Sequence, residues 1–216
     1  MINNKILFHA DDYGRSSAVS ENILKCLEQG CLNSVSVMVN HHQDSLDKLK
    51  DFKNVNIRLH LNLTEIPNTI SKNAEFLSTL SFFKLLFLNK NKKKIVKKEI
   101  DDKITKFIKI YKPQKLKIDG HEHVHLIPWI YNYLSTNSER YKICEMRNSN
   151  EELMLPRLND IFNPQYLRNL IACLIIKFFS FFNKEIFVKS PKFFGLQYSG
   201  MQDELTLKKT INFLKK

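Results

Sequence analysis

Glycine and proline are scarce in this chain: 216 residues hold 5 glycines and 6 prolines. That leaves little room for a long flexible linker, and no internal repeat is visible. One domain spanning 1–216, large enough to bury a core, is the expectation. Cysteine is equally sparse. Cys26, Cys31, Cys144 and Cys173 make no Cys-x-x-Cys pair and no zinc-finger spacing, so they read as free thiols in a reducing, cytoplasmic compartment. No secretory signal opens the sequence, because Met1 to Lys5 lead straight into a short strand-like run. No apolar run is long enough to span a bilayer. The strongest, LIACLIIKFFSFF from Leu170 to Phe182, carries Lys177 in its middle and reads as a buried or partly buried helix. Peripheral membrane contact through 170–182 is the lesser reading.

Charge of one sign is not lacking. Lysine and arginine number 34 against 22 acids, a formal net charge of +12. Much of the excess is local, at Lys90, Lys92, Lys93, Lys94, Lys97 and Lys98. No aromatic residue interleaves with these lysines and no nucleic-acid-binding motif is present. They read as a solvated helix face, with no nucleic-acid partner.

Strand-like runs at 5–10, 34–40, 55–63, 115–119 and 141–147 alternate with helical patterns at 16–29, 44–52, 74–89 and 91–111, with two more at 164–183 and 203–215. DDYGRSS, after the first strand, reads as a loop, and Gly30 sits where a helix-ending glycine belongs. Strand, helix, strand, helix is the pattern of a parallel α/β fold, in which function gathers at the carboxyl ends of strands.

Those ends carry polar residues. Asp11 and Asp12 follow the first strand; His60, Asn62 and Thr64 share a face by period two; Asp119, His121, His123 and His125 follow the fourth; Glu145 and Arg147 follow the fifth. The chain has 7 histidines, and three of them crowd into GHEHVH. Adjacent carboxylates are costly to bury without a cation or donors. One Asp with two His holds a divalent ion and leaves positions open for water and substrate. A second, non-ligating carboxylate can take the proton of an attacking water. The residues alone do not choose among the clustered histidines.

ADDYG (10–14), HLNLT (60–64) and DGHEHVHLIP (119–128) resemble the three signatures of the YdjC/ChbG-type carbohydrate deacetylases, and FGLQYSG (194–200) is similar to a fourth, weaker segment. The resemblance runs from residue 5 to the C-terminus. It implies a distorted (β/α) barrel of the glycoside hydrolase/deacetylase type and a metal-dependent hydrolase that removes N-acetyl groups from amino sugars or oligosaccharides of the N-acetylglucosamine type. It implies Asp12, His60 and His121 as metal ligands and Asp11 as general base, with magnesium the family's usual ion. On donor chemistry alone, zinc or another first-row ion suits the set. His123 and His125 would line or brace the same pocket, and Arg147 and Asn62 would contact substrate. Glu122 is expected on the opposite face, and His41 and His42 in a surface loop.

The sequence departs from that family at its end. Family members continue into a last strand and a His-Pro-Gly segment whose histidine is the expected general acid. This sequence stops at Lys216 without that motif. The expectation is therefore an incomplete barrel with an open sheet edge, which a homodimer would cover. The alternative function is a catalytically impaired glycan-binding relative that keeps the metal site.

Overall fold

The computed structural model describes residues 6–39, 43–64, 81–183 and 190–214. The chain divides into two compact units, Met1–Met146 and Arg147–Lys216.

The first unit runs β1 (His9–Tyr13), α1 (Ser17–Glu28), β2 (Ser34–Val37), a 3-10 helix (Gln43–Asp51), β3 (Asn56–Leu61), α2 (Phe82–Leu86), α3 (Lys90–Tyr111), β4 (Leu116–Gly120), a 3-10 segment (His121–Leu126), α4 (Pro128–Thr136), α5 (Ser138–Tyr141) and β5 (Ile143–Met146). The strands form one sheet in the order β1-β2-β3-β4-β5, every neighbouring pair parallel. Spatial order follows chain order without reversal. That is the winding of a (β/α) barrel wall, not of a doubly wound sheet with its switch point. The fold class is α/β, as expected.

Local chemistry sets the element ends. Ser16 caps α1 by accepting the Val19 N–H at 3.2 Å, and Asn89 caps α3 by accepting the Lys92 N–H at 3.0 Å. The α3 helix ends at Lys112, whose left-handed backbone is followed by Pro113. One face of the sheet is apolar: Val35, Val37, Leu59, Leu61 and Ile118 have no solvent exposure. The α3 helix buries Val96, Ile100, Ile104 and Phe107. Each such side chain contributes about 1.5–3 kcal/mol by leaving water. On α3, Lys90, Lys92, Lys94 and Lys98 are exposed, while Lys93 and Lys97 lay their ammonium groups over Trp129 and Tyr133.

Three expectations are corrected. The first strand begins at His9 and includes Asp11, Asp12 and Tyr13, which the sequence reading placed in a loop. Pairing with β2, from His9↔Ser34 to Tyr13↔Val37, overrides the local turn signal. The histidine cluster is a 3-10 segment with left-handed residues at Glu122 and His123, not an alternating extension; Glu122 is exposed. The α4 and α5 helices, absent from the sequence reading, follow it, with Pro128 in the first turn of α4. Of the helix expected at 74–89, residues 74–80 lie outside the described residues, as do His41 and His42.

The second unit holds a 3-10 turn (Leu158–Asp160), α6 (Pro164–Ser180) and α7 (Glu204–Leu214). The α6 helix is partly buried, as expected. Tyr166, Asn169, Cys173, Ile176 and Phe179 are buried, whereas Leu167, Ile171, Leu174 and Phe178 are exposed. No described helix is long and apolar enough to cross a membrane. FGLQYSG wraps a buried carboxylate: Glu151 accepts the backbone N–H groups of Gly195 at 2.7 Å, Leu196 at 3.0 Å and Gln197. The Gln197 amide in turn bonds Met154 through both its oxygen and its nitrogen. Burial and the adjacent Glu151 push the Cys173 thiol up to about 12. All four cysteines are free.

Candidate functional site

The other face of the sheet is polar. Period two places His9 and Asp11 of β1 on it, with Ser34 and Ser36 of β2, Asn56, Arg58 and His60 of β3, Lys117 and Asp119 of β4, and Glu145 of β5. These groups satisfy one another across strands. Ser36 donates to Asp119, Arg58 pairs with Glu145, and Lys117 donates to Asn56 at 2.7 Å.

Regular alternation would send Asp12 to the face opposite Asp11. It does not, because the β1–β2 register shifts between Ala10 and Tyr13 and Asp12 has φ +70. The bulge and left-handed backbone bring both carboxylates toward His60, a local strain of the kind found at functional sites. Asp11 Oδ1 lies 3.9 Å from His60 Nδ1, and Asp12 Oδ1 lies 3.1 Å from His60 Nε2. Gly14 makes the tight return possible. It has φ +88, and a Cβ there would sit 2.5 Å from the Met38 carbonyl oxygen.

Asp12 stands between two imidazoles, with His121 Nδ1 3.0 Å from the same Oδ1. The His60 and His121 rings meet edge to face at 5.8 Å. One ligand atom from each of Asp12, His60 and His121 falls within 4.8 Å of the others. The far nitrogen of His60, Nδ1, bonds Asp119 Oδ1 at 2.7 Å, and Asp119 has no solvent exposure. Two imidazole nitrogens and a carboxylate, with one ring braced by a second carboxylate, fit a divalent ion.

The electrostatics are those of a tight ion cluster. Burial alone would lower the pKa of His60, but the charge of Asp11 and the hydrogen bonds with Asp119 and Asp12 outweigh it and raise it to about 10. Burial alone would raise the pKa of Asp12, but hydrogen bonds and charge from His121 and His60 hold it well below the usual carboxylate range.

The other expected site residues fall in varied surroundings. His125 is fully buried and packs on Gly120, where a Cβ would come within 2.9 Å of its Nδ1. His123 is half-buried in a left-handed conformation, its ring 6.5 Å from that of His125. Asn62 is buried; its side-chain oxygen accepts the Thr64 N–H at 3.1 Å and its nitrogen meets Met38 Sδ at 3.5 Å. Arg147 belongs to the second unit, its guanidinium over the Phe193 ring at 5.3 Å.

Sequence reasoning missed His9, Ser34, Ser36, Asn56 and Lys117. The signal was present, since every second residue of HADD, SVSV, NIRLH and LKID is polar. Serine, asparagine and lysine in short strands simply attract no attention until the register aligns them.

The sequence model of the family described as YdjC-like protein matches residues 5–216. A carbohydrate deacetylase of Danio rerio is 26% identical over 135 residues, covering 57% of this chain and 43% of that protein. One of Vibrio campbellii is 25% identical over 147 residues, covering 64% of this chain and 57% of that protein. One of Geobacillus stearothermophilus is 24% identical over 147 residues, covering 63% and 57%. The chain spans about half the length of these curated relatives. With a match over nearly its whole length, the chain belongs to the YdjC-like protein family.

Proposed function

We propose that this chain is a metal-dependent carbohydrate deacetylase that removes the N-acetyl group of an amino sugar or oligosaccharide of the N-acetylglucosamine type. The observation that carries the reading is the convergence of Asp12, His60 and His121 with Asp11 beside them. The names of the curated relatives support the activity.

In this reading Asp12, His60 and His121 hold a divalent ion, magnesium by family resemblance, with zinc or another first-row ion chemically suited. When bound, such an ion polarises the acetyl carbonyl and makes water a nucleophile near neutral pH. Asp11 is the general base. It is the carboxylate next to the ligand set that the triad does not use, and its side chain is 40% exposed, so water reaches it. Asp119 keeps the His60 ring oriented, with Nε2 toward Asp12. Asn62, His123, His125 and Arg147 are the proposed substrate contacts. The free cysteines fit a reducing, cytoplasmic setting.

The experiment is acetate release from short N-acetylglucosamine oligomers, with and without magnesium, zinc or cobalt, beside Asp11→Asn. Metal-dependent release is expected, with Asp11→Asn lowering turnover by about 10²–10⁴-fold while bound metal is retained. Undiminished turnover in Asp11→Asn would remove Asp11 from the role. No release from folded, metal-loaded protein would overturn the deacetylase reading.

A further inference from the structure

Asp11 is partly open to solvent, at 40% side-chain exposure, and a carboxylate so placed has several rotamers to choose from. A general base must point one way. The polar face of the sheet contains a device for this. His9 Nε2 lies 3.0 Å from Asp11 Oδ1 and 2.9 Å from Ser36 Oγ, while His9 Nδ1 lies 2.7 Å from Ser34 Oγ. Behind it the Asn56 side-chain amide donates to Ser34 at 3.0 Å, Ser34 donates to the Asn56 main-chain carbonyl at 3.1 Å, and Lys117 donates to the Asn56 side-chain oxygen at 2.7 Å. The registers His9↔Ser34 and Ser34↔Asn56 make this a lateral row across β3, β2 and β1, ending at Asp11.

We propose that His9 is the positioning residue of this site: through Nε2 it fixes the orientation of the Asp11 carboxylate, itself held by Ser34 and Ser36. This rests on the reading of Asp11 as general base. Ser36 donates its one hydroxyl proton to Asp119, so at its 2.9 Å contact with His9 the ring Nε2–H is the donor, and the same N–H faces Asp11. Two contacts at the ring edge, on residues of the adjacent strand, prevent the imidazole from swinging away. The pairing is local to this strand, because His9 and Asp11 stand two residues apart on one face.

A rival role is set by the same atoms. One ligand atom each from His9, Asp11 and Asp119 also lies within 4.8 Å of the others, as a second ion site would require. The two roles exclude each other, since a ligating Nε2 carries no proton and a ligating Asp11 is no base.

The test uses the full chain with His9→Leu, His9→Gln and Ser34→Ala. Metal content, melting temperature, kcat and KM for N-acetylglucosamine oligomers are measured for each, with imidazole nitrogen chemical shifts for the unsubstituted protein. His9→Leu is expected to lower kcat by about 10–100-fold, with KM and one bound ion per chain unchanged. His9→Gln, whose amide donates at similar reach, should recover most of that loss, and Ser34→Ala should cost less than His9→Leu. The nitrogen spectrum should show the His9 proton on Nε2. An active protein in which His9→Leu leaves kcat unchanged overturns the proposal. So does a fall from two bound ions to one, an Nε2 that carries no proton, or a His9→Gln variant no better than His9→Leu. If His9→Leu does not fold, His9→Gln and the spectrum decide. A wild-type protein that binds metal but releases no acetate instead sinks the reading of Asp11 on which the proposal stands.

Discussion

Asp119 and Glu151 are both carboxylates withdrawn from water, 0% and 8% exposed, and they are satisfied in opposite ways. Glu151 accepts backbone N–H groups from Gly195, Leu196 and Gln197, with the Cys173 thiol at 3.5 Å. Asp119 bonds the side chains of Ser36 and His60 and approaches His9 at 3.8 Å. Backbone amides cannot titrate, rotate away or exchange partners, so the carboxylate they bind serves the architecture and holds a loop closed. Side-chain donors can lose a proton to an ion or pass one on, so the carboxylate they surround is the one that fits the proposed chemistry. A buried acid is therefore not by itself a sign of function; what it bonds decides.

The comparison can be broken by experiment. Glu151→Ala should have the largest effect on stability. It strands buried N–H groups at roughly 1–3 kcal/mol each, so about 3 kcal/mol or more is lost, with a drop in melting temperature of about 6–12 °C. Bound metal should be unchanged. Asp119→Ala should do the reverse, weakening metal affinity by about 10–100-fold, measured by calorimetric titration, because His60 loses its brace. Equal loss of metal affinity in both variants would erase the distinction between the two carboxylates.

Smaller effects sharpen it. Cys173, buried beside Glu151 with its thiol pushed up to about 12, should resist iodoacetamide at pH 8 until Glu151→Ala loosens the loop, whereas exposed Cys31 should react at once. Time-resolved mass spectrometry of the alkylated protein reads both sites. The smallest change belongs to a surface cluster of the second unit. Arg157 hydrogen-bonds Asp160 at 2.7 Å and pairs with Asp203 at 2.5 Å. The Arg157 bond holds the Asp160 carboxyl below its usual 3.8. Asp203 is held low by Thr206 first and Arg157 second. A depressed folded pKa gives a contribution present above pH 3.8 and lost as pH falls below it. Arg157→Gln should lower the neutral-pH melting temperature slightly, and the difference from the unsubstituted protein should fade as pH falls below 3.8, both followed by circular dichroism.

Much of the first unit was legible. The parallel α/β class followed from alternating strand and helix patterns, and α1 was bounded by Ser16 and Gly30 as its sequence dictates. The convergence of Asp12, His60 and His121 was readable only in part. Their positions after strands pointed to one end of the sheet, while the choice of His121 over His123 and His125 came from family resemblance. What failed was local. DDY looked like a loop because aspartate and glycine are turn formers, yet strand pairing won. Glu122 was expected on the face opposite the histidines, yet Glu122 and His123 both turn left-handed in a 3-10 segment.

The sequence by itself determined the order of elements, the apolar periodicity that buries one face of the sheet, and the presence of acids and imidazoles at strand ends. These depend on spacing along the chain, which periods of 2 and 3.6 residues convert into faces. Only the tertiary structure decided which polar residues meet. His9, Ser34 and Asn56 are neighbours because parallel registers align strands whose separation in sequence carries no information about it. Asp11 and Asp12 reach the same imidazole because a bulge and one left-handed residue cancel the alternation that would have parted them.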